Sequence, residues 1–87
     1  MSGAAIAQTL RSYIQRELMG GEAREVRDDS PLLEWGVIES LKMVALLAFL
    51  EREYAVVVPE AEHMPENFQD VAALTRMVER LQAGEAR

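Results

Sequence analysis

Apolar residues recur at helical spacing near the start of the chain. They stand at relative positions 0, 4, 7, 8 and 12, which places them on one face of a helix. These residues are Ile6, Leu10, Tyr13, Ile14 and Leu18. Ser2 can cap the first turn, and the pair Gly20 and Gly21 can end the helix. The pattern therefore predicts one amphipathic helix.

A long connection follows over residues 21–39. A structureless loop of this length is uncommon in a compact domain, so we expect it to be held in place. Its apolar residues Leu32, Leu33 and Trp35 are predicted to plug the end of a helical bundle, and Pro31 can open a short helical turn. The plug would position the segment that comes next.

The most apolar part of the chain is a predicted helix over about residues 39–54, and it carries two neighbouring apolar stripes. The first stripe comprises Met43, Leu46, Leu47, Leu50 and Tyr54, and the second comprises Leu41, Val44, Ala45 and Ala48. One stripe is enough to face a core. The second indicates that this helix is either central in the bundle or offers one face to a partner.

The remaining segment predicts one further long helix. Residues 56–58 are valines, but with no other strand candidate they are interpreted as an extended link, and residues 60–68 can hold one short helical turn. Asp70 can cap the last helix, with Phe68 packing before it. The apolar face of that helix comprises Val71, Leu74, Val78 and Leu81.

Together these elements predict an all-α fold, a small bundle of three to four helices with the long loop between helices 1 and 2. We expect a single domain over residues 1–87, with its core at about residues 4–82 and a frayed tail at 83–87. A chain of 87 residues buries a modest core and leaves little room for a deep, dry active site.

The charge of the chain is −6, and most of it falls in one region. Residues 34–66 contain seven acidic side chains against Lys42 and Arg52. The acidic residues are Glu34, Glu39, Glu51, Glu53, Glu60, Glu62 and Glu66. Such a bias is typical of a solvated surface, and it also suits docking to basic proteins while disfavouring nucleic acid and anionic lipid.

Other features narrow the class of protein further. The sequence has no cysteine and no apolar run long enough to span a membrane, and charges at Arg11, Arg16 and Glu17 interrupt the segment where a signal peptide would be apolar. We therefore expect a cytoplasmic protein, most simply a monomer. The single histidine, His63, reads as a surface residue, and neither metal-ligand sets, phosphate loops nor a nucleophile elbow can be found.

Ser40 is the one residue with unassigned chemistry. It stands at the head of the most apolar helix, after Glu39 and shortly before Lys42. A serine at this place is usually a cap. Alternatively, its hydroxyl could carry a phosphate, which the field of the helix N-terminus would favour. The base and metal for such a reaction would have to come from another enzyme.

The stretch from "LLEWGVIESLKMV" through "NFQDVAALTRMVERL" resembles the acyl, aminoacyl and peptidyl carrier proteins, whose motif is Gly-x-Asp/Ile-Asp-Ser-Leu. The resemblance implies that a transferase attaches 4′-phosphopantetheine from coenzyme A to Ser40, with Gly36 as the turn glycine and Leu41 as the apolar residue of the motif. The arm would then hold its cargo as a thioester. Glu39 departs from the family's aspartate, which puts the rate of modification in doubt more than the role.

A finer resemblance concerns the cargo. "SPLLEWGVIES" is similar to free-standing carriers that hold proline while it is oxidised to a pyrrole in antibiotic pathways. That resemblance implies an adenylating ligase, possibly specific for proline, and a downstream oxidase or dehydrogenase, halogenase, ketosynthase or acyltransferase. Carriers for D-alanine, another amino acid or a general acyl group remain alternatives.

The expected docking surface surrounds Ser40. It comprises Val37, Ile38, Glu39, Leu41, Lys42 and Met43 beside the arm, and Glu51, Glu53 and Glu60 for basic residues of partners. These rim charges would govern encounter rate more than final affinity. The competing interpretation is a helical adaptor that is never modified and docks only through its second apolar stripe. In that case Ser40 would be a bare cap.

Overall fold

The computed structural model describes residues 2–20 and 24–84, and these fold almost entirely into helices. The longer helices are α1 (Gly3–Tyr13), α3 (Leu41–Tyr54) and α5 (Val71–Gln82); the one-turn helices are α2 (Leu32–Trp35) and α4 (Pro65–Phe68); a π-helical segment (Ile14–Leu18) continues α1, and a 3₁₀ turn (Glu60–Glu62) precedes α4. No described residue forms a β-strand, so the all-α prediction is confirmed.

Helix α1 begins and ends as its pattern predicts, with one addition. The hydroxyl of Ser2 accepts a hydrogen bond from the amide of Ala5 at 3.2 Å. After Tyr13 the helix widens, and the amide of Met19 donates to the carbonyl of Ile14 at 3.0 Å. This longer turn brings Met19 into the core below Ile14. Of the two predicted stop residues, Gly20 has a φ of +62° and Gly21 lies outside the described residues.

The core lies among α1, α3 and α5, and α1 packs most closely on α5. Its fully buried side chains are Ile6, Leu10, Ile14, Leu32, Ile38, Leu46, Leu50, Val71, Leu74, Met77 and Val78. Phe49 is also buried, which the stripe assignment of the sequence did not indicate. It stacks on Tyr13 with ring centroids 3.9 Å apart. Burial raises the pKa of the Tyr13 hydroxyl, against the opposing charge of Arg52.

Helix α3 turns its two apolar stripes in different directions. Leu46, Leu50 and Tyr54 are buried, with Met43 and Leu47 packed beside them. The second stripe is exposed, and the exposed fraction reaches 81% at Leu41 and 63% at Val44. Of the two predicted arrangements for this helix, the structure therefore shows the one with a free apolar face. The helix begins at Leu41, two residues later than predicted.

Backbone hydrogen bonds hold the connection before α2 against the other end of the chain. The amide of Leu32 donates to the carbonyl of Gln69 at 2.8 Å, and the amide of Ala72 donates to the carbonyl of Asp28 at 3.0 Å. Asp28 also forms an ion pair with Arg11 of α1. The connection is therefore held in place, as its length predicted, by these polar contacts together with the buried side chain of Val26.

The predicted apolar plug is only partly correct. Leu32 is fully buried and Trp35 packs half-buried against the core, with the guanidinium of Arg24 4.4 Å from the centre of its ring. Leu33, in contrast, is 39% exposed and points away from the core. Adjacent residues of a helix point about 100° apart, so Leu32 and Leu33 of this single turn do not face the core together, whereas Trp35, three residues after Leu32, lies on nearly the same side as Leu32.

The segment before α5 contains two helical turns where one was predicted, and a buried network joins them to α5. The carboxylate of Glu62 is 4% exposed. It accepts hydrogen bonds from Asn67 Nδ2 at 2.9 Å and from Arg80 Nη2 at 2.7 Å. Glu62 is thus withdrawn from the acidic surface and fixes the 3₁₀ turn and α4 on α5.

Helix α5 begins and ends near its predicted bounds. Asp70 accepts a hydrogen bond from the amide of Ala73 at 2.8 Å and so caps the helix, and Phe68 is buried just before it. The helix ends at Gln82, and residues 85–87 of the predicted frayed tail lie outside the described residues. Within the described ranges, every helix is too short or too polar to cross a membrane.

Candidate functional site

The candidate site is prepared by the turn that ends α2. The amide of Gly36 donates to the carbonyl of Leu33 at 3.1 Å, and the amide of Val37 donates to the carbonyl of Leu32 at 3.3 Å. These two bonds form a Schellman motif, in which the residue after the helix takes a left-handed conformation. Gly36 has a φ of +70°, so the absence of a side chain lets the chain reverse there.

The two residues after this turn anchor the segment in the core. Val37 is 6% exposed and Ile38 is 2% exposed, and both belong to the main hydrophobic cluster. The prediction that they face a partner is therefore wrong, because side chains buried in the core offer no docking surface. They instead fix the backbone on which Glu39 and Ser40 are presented.

Ser40 is exposed, and its side chain does not cap α3. Its backbone carbonyl begins the helix by accepting hydrogen bonds from the amides of Met43 at 3.1 Å and Val44 at 3.3 Å. Its φ is +53° and its ψ is −123°, a conformation that is strained for any residue with a side chain. The expectation of an ordinary serine cap is thus not met, and the hydroxyl remains outside the helix hydrogen-bond pattern.

Glu39 and Lys42 supply the charges next to Ser40, and both side chains are exposed. The carboxylate of Glu39 folds back over the turn, and a Cβ atom at Gly36 would lie 3.4 Å from its Oε2 atom. The glycine therefore serves two purposes, since it adopts the left-handed turn and leaves room for the longer acidic side chain.

The remaining predicted docking residues are on the surface. Leu41 extends the exposed stripe of α3 from Ser40, while Glu51, Glu53 and Glu60 are exposed near its far end. Met43 is half-buried and faces the side of α3 opposite to that stripe, towards α4. The apolar strip that begins at Leu41 is therefore exposed directly after Ser40, and the three glutamates are exposed as well.

A groove that the sequence did not indicate opens beside Met43. Its volume is about 210 Å³, and it is lined by Leu33, Met43, His63, Met64, Pro65 and Phe68. Met43 lies one helical turn after Ser40, so the groove begins next to the candidate site. Its residues come from three segments that are far apart in the chain, and no local pattern could have grouped them.

Neither metal-binding clusters nor shifted pKa values point to further chemistry at Ser40 among the described residues. The described residues contain no group of three or more His, Cys, Asp or Glu side chains placed to hold a metal ion. Burial also raises the pKa of the Tyr54 hydroxyl. Tyr54 ends α3, about 20 Å along the helix axis from Ser40, so this perturbation belongs to the core.

Comparison with curated proteins identifies relatives of similar length. Aminoacyl carrier protein 2 of Bradyrhizobium diazoefficiens is 32% identical over 73 residues, which cover 84% of this chain and 78% of that protein. The probable acyl carrier protein PigG of Serratia is 30% identical over 74 residues, covering 85% of each. No family model matches the sequence.

Solved structures show the same similarity. A chain in the crystal structure of an FAD-dependent dehydrogenase has a TM-score of 0.77 and 40% identity, and the match covers 80% of this chain and 99% of that one. A second match is to the glycine:[carrier protein] ligase of Bradyrhizobium japonicum complexed with glycylated carrier protein. It has a TM-score of 0.65 and 29% identity and covers 86% of this chain and 96% of the matched one.

Proposed function

Because the chain belongs to the family of acyl and aminoacyl carrier proteins, we propose that it is a stand-alone carrier whose Ser40 bears a 4′-phosphopantetheine arm donated by coenzyme A. Carriers are substrates of partner enzymes and are not enzymes themselves. The observation that carries the proposal is the state of Ser40, which is an exposed serine at the head of α3 whose hydroxyl is not used as a cap.

The residues around Ser40 fit the proposed group. The N-terminus of α3 favours the negative charge of a phosphodiester, and the buried pair Val37 and Ile38 holds the serine on a fixed backbone. The groove beside Met43 offers an apolar surface next to the point of attachment. The arm supplies a thiol that forms a thioester with the cargo, and the chain has no cysteine of its own.

The proposed cargo is an amino acid. This is supported by relatives named as aminoacyl carriers and by the matched structure of a glycylated carrier. The finer proposal is a prolyl group that is oxidised to pyrrolyl in the biosynthesis of an antibiotic. In its favour, one matched chain occurs in the crystal structure of an FAD-dependent dehydrogenase, and that chain is itself no longer than a carrier domain because the match covers 99% of it.

The proposed partners are the enzymes that would attach the arm, load the amino acid and act on the loaded group. They are a phosphopantetheinyl transferase, an adenylating ligase and a downstream oxidase or dehydrogenase, with a halogenase, ketosynthase or acyltransferase as possible later steps. The docking surface would combine the apolar strip at Leu41 and Val44 with Glu39, Lys42 and the acidic rim at Glu51 and its neighbours. Since the rim is exposed, its charges would act mainly on association rates, with a strong salt dependence.

Intact-mass measurement tests the attachment. The protein is incubated with coenzyme A, magnesium and a broad-specificity phosphopantetheinyl transferase. We expect one arm on the wild type and on Ser12→Ala, which alters another exposed serine, and none on Ser40→Ala. An unmodified wild type, or equal modification of Ser40→Ala, would refute the proposal and favour the unmodified adaptor.

A loading assay then tests the cargo. The arm-bearing protein is offered to adenylating ligases specific for proline, glycine, alanine and D-alanine, and each product is identified by mass. We expect a prolyl thioester. Loading with another amino acid and not with proline would reject the prolyl proposal and leave the carrier role intact.

A further inference from the structure

Lysine occurs once in the sequence, at position 42, two residues after Ser40. The other strongly basic side chains are all arginines, and residues 41–50 contain no charge except that of Lys42. Its side chain is exposed in the first turn of α3. A lysine carries a compact charge on a flexible stem, so its ammonium can adjust to a group beside it. The single side-chain amine of the chain therefore stands next to the candidate attachment site.

Lys42 occupies an unfavourable place for a cation. The positive end of a helix dipole lies at the N-terminus, where a positive side chain is repelled. Within residues 2–20 and 24–84, the ammonium of Lys42 has neither an ion pair nor a hydrogen bond that would offset this repulsion. An anion supplied at this end of α3 would therefore interact favourably with both the helix and the lysine.

Glu39 stands three positions before Lys42, a spacing that suits pairing, but its carboxylate is turned elsewhere. It lies over Gly36, where a Cβ atom would be 3.4 Å from its Oε2 atom. Only the backbone joins the two charged residues. The amide of Lys42 donates to the carbonyl of Glu39 at 3.0 Å, which closes a four-residue turn around Ser40. A group attached to Ser40 is therefore within reach of the flexible lysine stem.

We propose that the ammonium of Lys42 pairs with the phosphodiester that joins the arm to Ser40, and so holds the root of the arm against the first turn of α3. This rests on the proposed function, because the phosphodiester is present only after Ser40 has been modified. The phosphodiester brings the negative charge that is missing beside Lys42, and it also suits the N-terminus of the helix. Lys42 is thereby a positioning residue for the arm and not only a charge on the docking surface.

Exposure limits the strength of this pairing. Both charged groups lie at the surface, so water and salt weaken their attraction, and the stability of the protein should change little. The pairing changes the orientation of the root of the arm and the chemical reactivity of the amine, since an ammonium beside an anion is less readily deprotonated. The first change can be observed at phosphorus and the second at Lys42.

Amine reactivity tests the pairing, because the sequence has no second lysine. The protein with and without its arm is treated with an uncharged acetylating reagent, and digestion followed by mass measurement gives the rate at Lys42. We expect this rate to be about 1.5 to 5 times lower when the arm is present, the range for an exposed ion pair. The difference should largely disappear near 1 M salt, where the Debye length is about 3 Å. Equal rates with and without the arm would overturn the proposal, and so would undiminished protection in high salt, which indicates steric cover.

Phosphorus NMR observes the other partner, because the arm supplies the one phosphorus atom of the modified protein. The phosphorus signal is expected to move between about 0.01 and 1 M salt in the wild type and in Lys42→Arg, which keeps the charge. It should move much less in Lys42→Gln, which removes the charge. Arg52→Gln is the matched control and should behave as the wild type, because it removes an exposed charge about 15 Å further along the same helix. A response of Lys42→Gln equal to that of the wild type would contradict the pairing.

Two other outcomes are distinguished by the same measurements. In every form the intact mass shows whether Ser40 carries the arm, so a failure of the proposed function is separated from a failure of the pairing. If Lys42 serves only to contact acidic residues of a partner enzyme, its amine will not respond to the arm. That result overturns the proposal and leaves the carrier role intact.

Discussion

The starts of the three longer helices differ in how they use a polar side chain. At α1 and α5 the side chains of Ser2 and Asp70 accept hydrogen bonds from backbone amides, at 3.2 and 2.8 Å. At α3 the side chain of Ser40 forms no such bond, and its φ is +53°. The first two residues stabilise their helices. The third gives up that stabilisation, which leaves its hydroxyl free for another reaction.

The largest effect is expected from removing the cap of α5. Asp70→Ala should lower the free energy of unfolding by about 1–2 kcal/mol, because it removes a hydrogen bond and a negative charge at a helix N-terminus. Denaturant unfolding measures this change. Asp70→Asn is the matched control, since an amide oxygen can still cap, and it should restore most of the loss. If Asp70→Ala left the free energy of unfolding unchanged, the cap would contribute nothing to stability.

A gain in stability is expected from Ser40→Gly. Glycine adopts positive φ without steric strain, so the substitution should raise the free energy of unfolding by about 1 kcal/mol relative to Ser40→Ala. Thermal and denaturant unfolding of the two variants give the comparison. If Ser40→Gly were instead the less stable of the two, the strained conformation at this position would not exist in solution.

A smaller loss is expected from Ser2→Ala. Its cap lies near the chain terminus and is exposed, so we expect a loss of about 0.5 kcal/mol, at the low end for a cap. Ser2→Asn, which preserves a capping oxygen, should match the wild type. Hydrogen exchange at the first turn of α1 localises the effect, and unchanged exchange there would contradict it.

The smallest effect on stability is expected from Ser40→Ala itself. An ordinary cap would cost about 1 kcal/mol on removal, but the structure shows no bond to lose, so the change should stay below about 0.5 kcal/mol. The same variant is expected to lose attachment of the arm entirely. A loss of stability near that of Asp70→Ala would show that Ser40 caps α3 in solution.

The sequence predicted most of the fold because its apolar periodicity is strong. The core face of α1, the presence of a second apolar stripe at Leu41 and Val44, and the cap at Asp70 all follow from residue types at local spacing, whereas the exposure of that stripe was one of two alternatives that the sequence left open. The backbone conformation of Ser40 could not be predicted from the sequence, because no local residue pattern indicates a positive φ in a residue other than glycine. The burial of Val37 and Ile38 could not be predicted either, because it depends on the direction that the chain takes after Gly36.

Features that combine residues from distant segments of the chain could not be predicted from the sequence either. The ion pair of Glu62 with Arg80 joins residues 18 positions apart, and the groove combines Leu33 with Phe68. Each residue looks ordinary in its own neighbourhood: Glu62 resembles any surface acid and His63 any surface histidine. Only packing shows that one is buried in a network and that the other lines a groove.

Trp35 gives the molecule an optical label in a useful place. It is the single tryptophan of the sequence, and it lies under the guanidinium of Arg24 directly before the turn at Gly36. Indole emission from this protein therefore originates in α2, directly before the segment that leads to Ser40, and not in the three longer helices. Conformational changes in α2 and in the turn at Gly36 can therefore be followed by fluorescence without any added dye.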